Sequence, residues 1–170
     1  MEMVHQKFEE AYQEYAEGIL RHIYFRISNW PIAEDLTQET FFKAWRSMAE
    51  GKVAEISNFK AFFYKIANNL IIDYYRGKKK EVSLEEMEEE AENIAVVKAE
   101  QEHEVDLGIE KKKLEQYLSE LKDEYKQVLV MRFINDMSIK EISQVTNKTR
   151  GNVRILIHRA LQVLKKKYER

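Results

Sequence analysis

Two Glu-x-x-His pairs, Glu2-x-x-His5 and Glu100-x-x-His103, come nearest to a reactive spacing, because that pair is the repeated half of a di-iron carboxylate site in a helical bundle. Such a site needs both pairs on long packed helices with two further inward glutamates. Here one pair lies at the amino-terminal end and the other within a run of acids. The other histidines, His22 and His158, are expected at a core edge and against a phosphate. No Ser-His-Asp order, phosphate-cradling glycine loop or His-Glu-x-x-His pattern occurs, and the lack of cysteine excludes a thiol nucleophile, disulfides and Cys-ligated metal. No catalytic residue, metal ligand or cofactor is therefore assigned.

The chemistry that the sequence does carry is electrostatic. From Met137 it reads MSIKEISQVTNKTRGNVRILIHRALQVLKKKYER. Ser138 and Glu141 form a capping box opening a short helix, with Ile142 and Val145 facing in. Thr146, Asn147 and Lys148 make a tight turn in which Asn147 suits a left-handed backbone, and Thr149 caps the next helix. That helix buries Val153, Ile157, Ala160, Leu161 and Leu164, while its other face shows Arg150, Asn152, Arg154, His158 and Arg159. A short capped helix, a three-residue turn and a longer helix with a basic outer face match a helix-turn-helix. Entering a major groove amino end first, the second helix would set Thr149, Arg150, Asn152 and Arg154 against base edges and flanking phosphates, with Lys165, Lys166 and Lys167 adding phosphate attraction. A plainly solvated basic helix is the alternative reading.

The elements that must position this face are helical. The chain has 170 residues, one proline and five glycines, too few turn residues for many strand boundaries. A first helix over about 4–27 carries Phe8, Tyr12, Tyr15, Ala16, Ile19, Ile23 and Ile27 as one apolar stripe, and Ser28 to Pro31 end it. A second starts near Ile32 or Ala33, with Glu34 and Asp35 in its first turn, and Gly51 closes it. Ser57 or Asn58 caps a third, whose inward set runs from Phe59, Phe62 and Phe63 to Leu70 and Tyr74. Periodicity resumes at Ile109 with two helices, through Leu121 and through Phe133, packed as a hairpin. The net charge of −2 hides three unlike segments: residues 1–76 carry −2, residues 77–107 carry −7, and residues 108–170 carry +7. The middle stretch has eleven acids and scattered apolar residues, and reads as a linker between a three-helix domain and a basic one. No run of apolar residues is long enough to span a membrane.

Read together, the halves resemble the sigma-70 family of bacterial transcription initiation factors, in its two-domain extracytoplasmic-function group. AEDLTQETFFKAW (33–45) is similar to the family's core-polymerase-binding helix, FKAFFYKIANNLIIDYYRGKKK (59–80) to its promoter-melting helix, and LSELKDEYKQVLVMRF with the helix-turn-helix to its carboxyl-terminal domain. The resemblance implies an all-α protein of two small helical domains, 1–76 and 108–170, joined by the acidic linker. It implies polymerase docking through Asp35, Gln38 and Glu39, which share one side of a helix at i, i+3 and i+4. It places the downstream promoter element at Tyr64, Lys65, Asn68, Asn69, Arg76, Lys78 and Lys79, with an unpaired base read near Asn68, Asn69 and the loop from Glu50 to Ser57. The upstream element falls to Thr149, Arg150, Asn152, Arg154, His158 and Arg159. Core RNA polymerase, promoter DNA and an anti-sigma factor are the implied partners, in the cytoplasm, with no membrane insertion, no enzymatic activity and no cofactor. Ile155 and Leu156 depart from the family, which often carries a small polar residue and then Arg there. The competing reading is a one-component helix-turn-helix regulator that binds operators as a dimer.

Overall fold

The computed structural model describes residues 2–52, 56–84 and 109–169, without the side chains of 79–84 and 109–111. Most of the expected linker, the Glu100-x-x-His103 pair, positions 53–55 and the side chain of Lys79 thus lie outside the described residues. Among those described, every regular element is helical: α1 (Glu2–Ile27), α2 (Trp30–Ala49), α3 (Phe59–Leu84), α4 (Ile109–Ser119), α5 (Asp123–Leu129), a π-helical turn (Val130–Ile134), α6 (Ile139–Thr146) and α7 (Arg150–Tyr168).

Local chemistry accounts for the boundaries. Ser28 takes a left-handed backbone after α1, and the Asn29 side chain caps α2 by accepting from the Ile32 N–H. Pro31 therefore stands in the first turn of α2, where its missing N–H costs nothing, and not in a loop after α1. As a result Glu34 and Asp35 lie beyond the first turn of α2, which holds no acid. Asn58 caps α3 by accepting from the Ala61 N–H, 3.0 Å away. The α3 helix then continues past Arg76 to Leu84, through part of the segment read as linker. The two helices expected after Ile109 are present but do not form the expected hairpin: α4 packs mainly on α7 and α1 rather than on α5, and α5 gives way to the π turn after Leu129, with Phe133 60% exposed.

α1, α2 and α3 pack around Ile19, Ile23, Phe41, Phe63, Ala67 and Ile71. α5, α6 and α7 enclose Val128, Met131, Ile142, Val153 and Ala160. The two sets are not separate beads: α3 lies against α6, and α1 against the π turn, so one contiguous core runs through both. Gly18 marks the closest approach inside the first set, since a Cβ there would stand 2.6 Å from the buried Tyr64 hydroxyl.

Candidate functional site

The basic helix is started by local capping and turned outward by the packing of its apolar side. Ser138 and Glu141 satisfy each other's backbone N–H groups at 3.0 Å to start α6, Asn147 ends it at φ 57°, and Thr149 accepts from the Asn152 N–H at 3.1 Å to start α7. The inward side of α7 is Val153, Leu156, Ile157 and Ala160. Leu156 is buried, while Leu161, expected on the inward side, is 40% exposed. Thr149, Arg150, Asn152, Arg154, His158 and Arg159 are all exposed along the outer side. No acid stands among them, so this surface suits a polyanion.

A second exposed surface is acidic. Asp35, Gln38 and Glu39 are solvent-facing on α2, while Ala33, Thr40, Phe41 and Ala44 on its other side are buried. Glu39 makes only a loose 3.8 Å pair with Lys43, and exposed Phe42 follows on the same side. Because the first turn begins at Trp30, the helix dipole no longer explains why acids stand here.

α3 divides the remaining predicted residues. Lys65, Asn69, Arg76 and Lys78 are exposed, with the Lys78 ammonium 5.5 Å from the centre of the Tyr74 ring. Asn69 lines a groove of about 350 Å³ between the end of α2 and α3, floored by Ile66 and Leu70 and rimmed by Lys43, Arg46 and Lys52. Glu50 at the same rim is held below the usual carboxylate range by hydrogen bonds from Lys52 and Arg46. Asp73 lines the groove as well, so it holds an apolar floor, an amide, three cations and two carboxylates, and the net positive rim suits a flat base attached to a phosphate. Phe63 is buried in the core and Phe59 and Phe62 are partly buried against it.

Tyr64 and Asn68 are not on that surface. They are 2% and 3% exposed, turned inward between the two halves. Asn68 accepts from the fully buried Arg26 guanidinium at 2.8 Å, and Arg26 reaches Asp123 of α5 at 3.1 Å. His22, four residues before Arg26, stands 3.0 Å from the Asn135 side-chain oxygen by its Nδ1, and the Asn135 amide donates to the Gly18 carbonyl at 3.1 Å. The Asn135 oxygen must then accept, which puts the histidine proton on Nδ1 and leaves buried Nε2 without a partner. Burial, reinforced by the Arg26 charge, lowers the His22 pKa to about 3. Burial pushes the Tyr64 hydroxyl up to about 12. His22 is thus at the centre of a junction and not at a core edge. The sequence signal for this junction was His22 and Arg26 standing in line with Ile19 and Ile23 on one stripe. Lys65 and Asn58 of the first half also cross it, to Asn147 and Glu141, each at 3.4 Å.

Comparison with known proteins gives two family matches, "Sigma-70 region 2" over residues 10–81 and "Sigma-70, region 4" over residues 111–164. The chain is 31% identical to the ECF RNA polymerase sigma factor SigM of Bacillus subtilis, over 95% of each chain. In fold it is similar to the sigma factor RpoE in complex with the anti-sigma factor NepR from Bartonella quintana, with a TM-score of 0.77, 16% identity and coverage of 96% of this chain and 98% of that one. It is also similar to CnrH in complex with the cytosolic domain of CnrY, with a TM-score of 0.69, 17% identity and coverage of 97% and 89%.

Proposed function

The chain belongs to the sigma-70 family, in its extracytoplasmic-function group, and directs RNA polymerase to promoters; from that premise we propose how its parts divide the work. The outer face of α7, from Thr149 to Arg159, grips the upstream promoter element as duplex. Asp35, Gln38 and Glu39 hold a basic surface of core polymerase. The groove beside Asn69 takes a base from the separated downstream strand, with Lys65, Arg76 and Lys78 along its phosphates. Polymerase performs the chemistry, in the cytoplasm, and this chain is no enzyme. Among the described residues no helix is long and apolar enough to cross a membrane.

The observation that carries this division is the presence of two exposed surfaces of opposite charge on different units, one basic on α7 and one acidic on α2. A dimeric operator-binding regulator has no use for the second. We place the amino-terminal unit at residues 1–84, following α3 to its end, and the basic unit at 108–170.

The junction adds a step. Lys65, assigned to the downstream element, touches Asn147 in the turn of the helix-turn-helix at 3.4 Å. Groups that close cannot serve two separate promoter elements at once, and Tyr64 and Asn68 are covered. The packed arrangement is therefore a resting form, and the units part when polymerase and promoter engage them. An anti-sigma factor that favours the packed form would keep the chain inactive.

Transcription in vitro from a random promoter library, with purified core polymerase and this chain, tests the reading. Start-site selection that depends on both components is expected. Failure to join polymerase, with tight twofold complexes on intact operators, would refute it.

A further inference from the structure

The recognition face contains one residue whose chemistry does not belong to a polyanion-binding surface. Ile155 is 50% exposed, between Arg154 and the buried Leu156. At about 100° per residue, it stands roughly 160° round α7 from buried Val153 and roughly 140° from buried Ala160, so it faces away from the core. Gly151 and His158 share that outward line, and Arg154 and Arg159 flank it on either side. A Cβ at Gly151 would meet nothing within 4 Å, so no contact inside the protein demands glycine there, and the missing side chain leaves the helix backbone open to close approach one turn before Ile155. The apolar residue thus lies on the outward line of the helix, with an arginine on either side of it.

In the major groove the one apolar group that a base edge presents is the 5-methyl group of thymine. Building on the division of labour proposed above, we propose that Ile155 is a specificity-determining residue that selects thymine in the upstream promoter element by packing against its 5-methyl group, with Gly151 permitting the approach. A protein partner covering Ile155 is disfavoured by the surroundings: a single exposed apolar side chain between Arg154 and Arg159, with polar Asn152 and His158 beside it, is not the contiguous apolar patch that a protein interface core requires.

The test uses holoenzyme assembled from core polymerase and the full chain, on a promoter taken from the random library. Each thymine of the upstream element, on both strands, is replaced singly by deoxyuridine, which removes the methyl group and leaves every hydrogen-bonding edge intact. The expected result is one position at which the replacement lowers promoter affinity roughly fourfold, the worth of one buried methyl-sized group. With Ile155→Ser, thymine and uracil at that position should bind equally. Half-exposed Ile155 supports no core, so the variant should keep its thermal midpoint. Absence of any methyl-sensitive position in a holoenzyme that selects promoters overturns the inference alone. Methyl sensitivity that survives in Ile155→Ser also overturns it and gives the methyl contact to another residue. A chain that selects no promoter with polymerase refutes the function reading and this inference together.

Discussion

Lowering the pH through the range in which histidine ordinarily titrates should loosen the junction between the two halves, because His22 must stay neutral there. The ring is fully buried, its Nδ1 proton is given to Asn135, its Nε2 has no acceptor, and the groups that face it are Arg26 on its own helix, Tyr64 of α3 edge-on at 5.3 Å, and Asn135 after the π turn. A second proton would be a bare charge beside the Arg26 cation. The sign follows directly. The packed form has a His22 pKa of about 3, against about 6.5 when the ring is in water. Stability is therefore fully present above pH about 6.5 and is lost as pH falls from there toward 3. The slope approaches that of one proton bound per unfolding event, so that on the order of 1 kcal/mol is gone by pH 5.5, before most carboxylates begin to protonate. Urea unfolding at pH 7.5, 6.5 and 5.5, on the native chain and on His22→Gln, isolates this residue, since the other histidines cancel in the difference between the two slopes. His22→Gln should be less stable at pH 7.5 and should lose less on acidification. Equal slopes in the two proteins, or a His22 pKa near 6.5 by nuclear magnetic resonance, would show that the ring is solvated and that the packed arrangement is not the dominant form.

Three further outcomes follow from the geometry. Gly18→Ala should destabilise the fold by about 1–3 kcal/mol in thermal or urea unfolding despite the better helix propensity of alanine, because its methyl group would stand 2.6 Å from a hydroxyl that burial keeps from moving aside; adding Tyr64→Phe, which removes that hydroxyl, should restore most of the loss. Asp35→Ala with Glu39→Ala should abolish co-purification with core polymerase and leave the circular dichroism melt unchanged, since both side chains are exposed; a shifted melt would make these acids structural. Arg154→Ala should cost on the order of 1–3 kcal/mol at one promoter position if it grips a base, and should weaken all sequences alike if it touches phosphate only, as read by binding across single-base promoter variants.

Capping chemistry and periodicity made much of this molecule legible before any tertiary contact was known. The Ser138–Glu141 box, the left-handed Asn147 and the Thr149 cap lie within a few residues of the groups they satisfy, and all three are present as expected. The same locality explains why the exposed side of α7 and the acidic side of α2 were readable: each is the complement of an apolar stripe on its own helix. Asn29 capping α2 was missed because Trp30 and Pro31 look like a chain reversal, although proline is at home in a first helical turn.

The sequence by itself thus determined an all-α chain, a helix with a basic outer face, a helix with an acidic outer side and an acid-rich segment between their domains. Only the tertiary structure decided that Tyr64 and Asn68 turn inward, that His22 and Arg26 are junction residues, and that the two units share one core. The physical reason is the range of the determining interaction. A cap or an amphipathic stripe is settled by neighbours three or four positions away. The pairings of His22 with Asn135 and of Arg26 with Asp123 join positions about a hundred residues apart, through the fit of two surfaces that no local periodicity encodes.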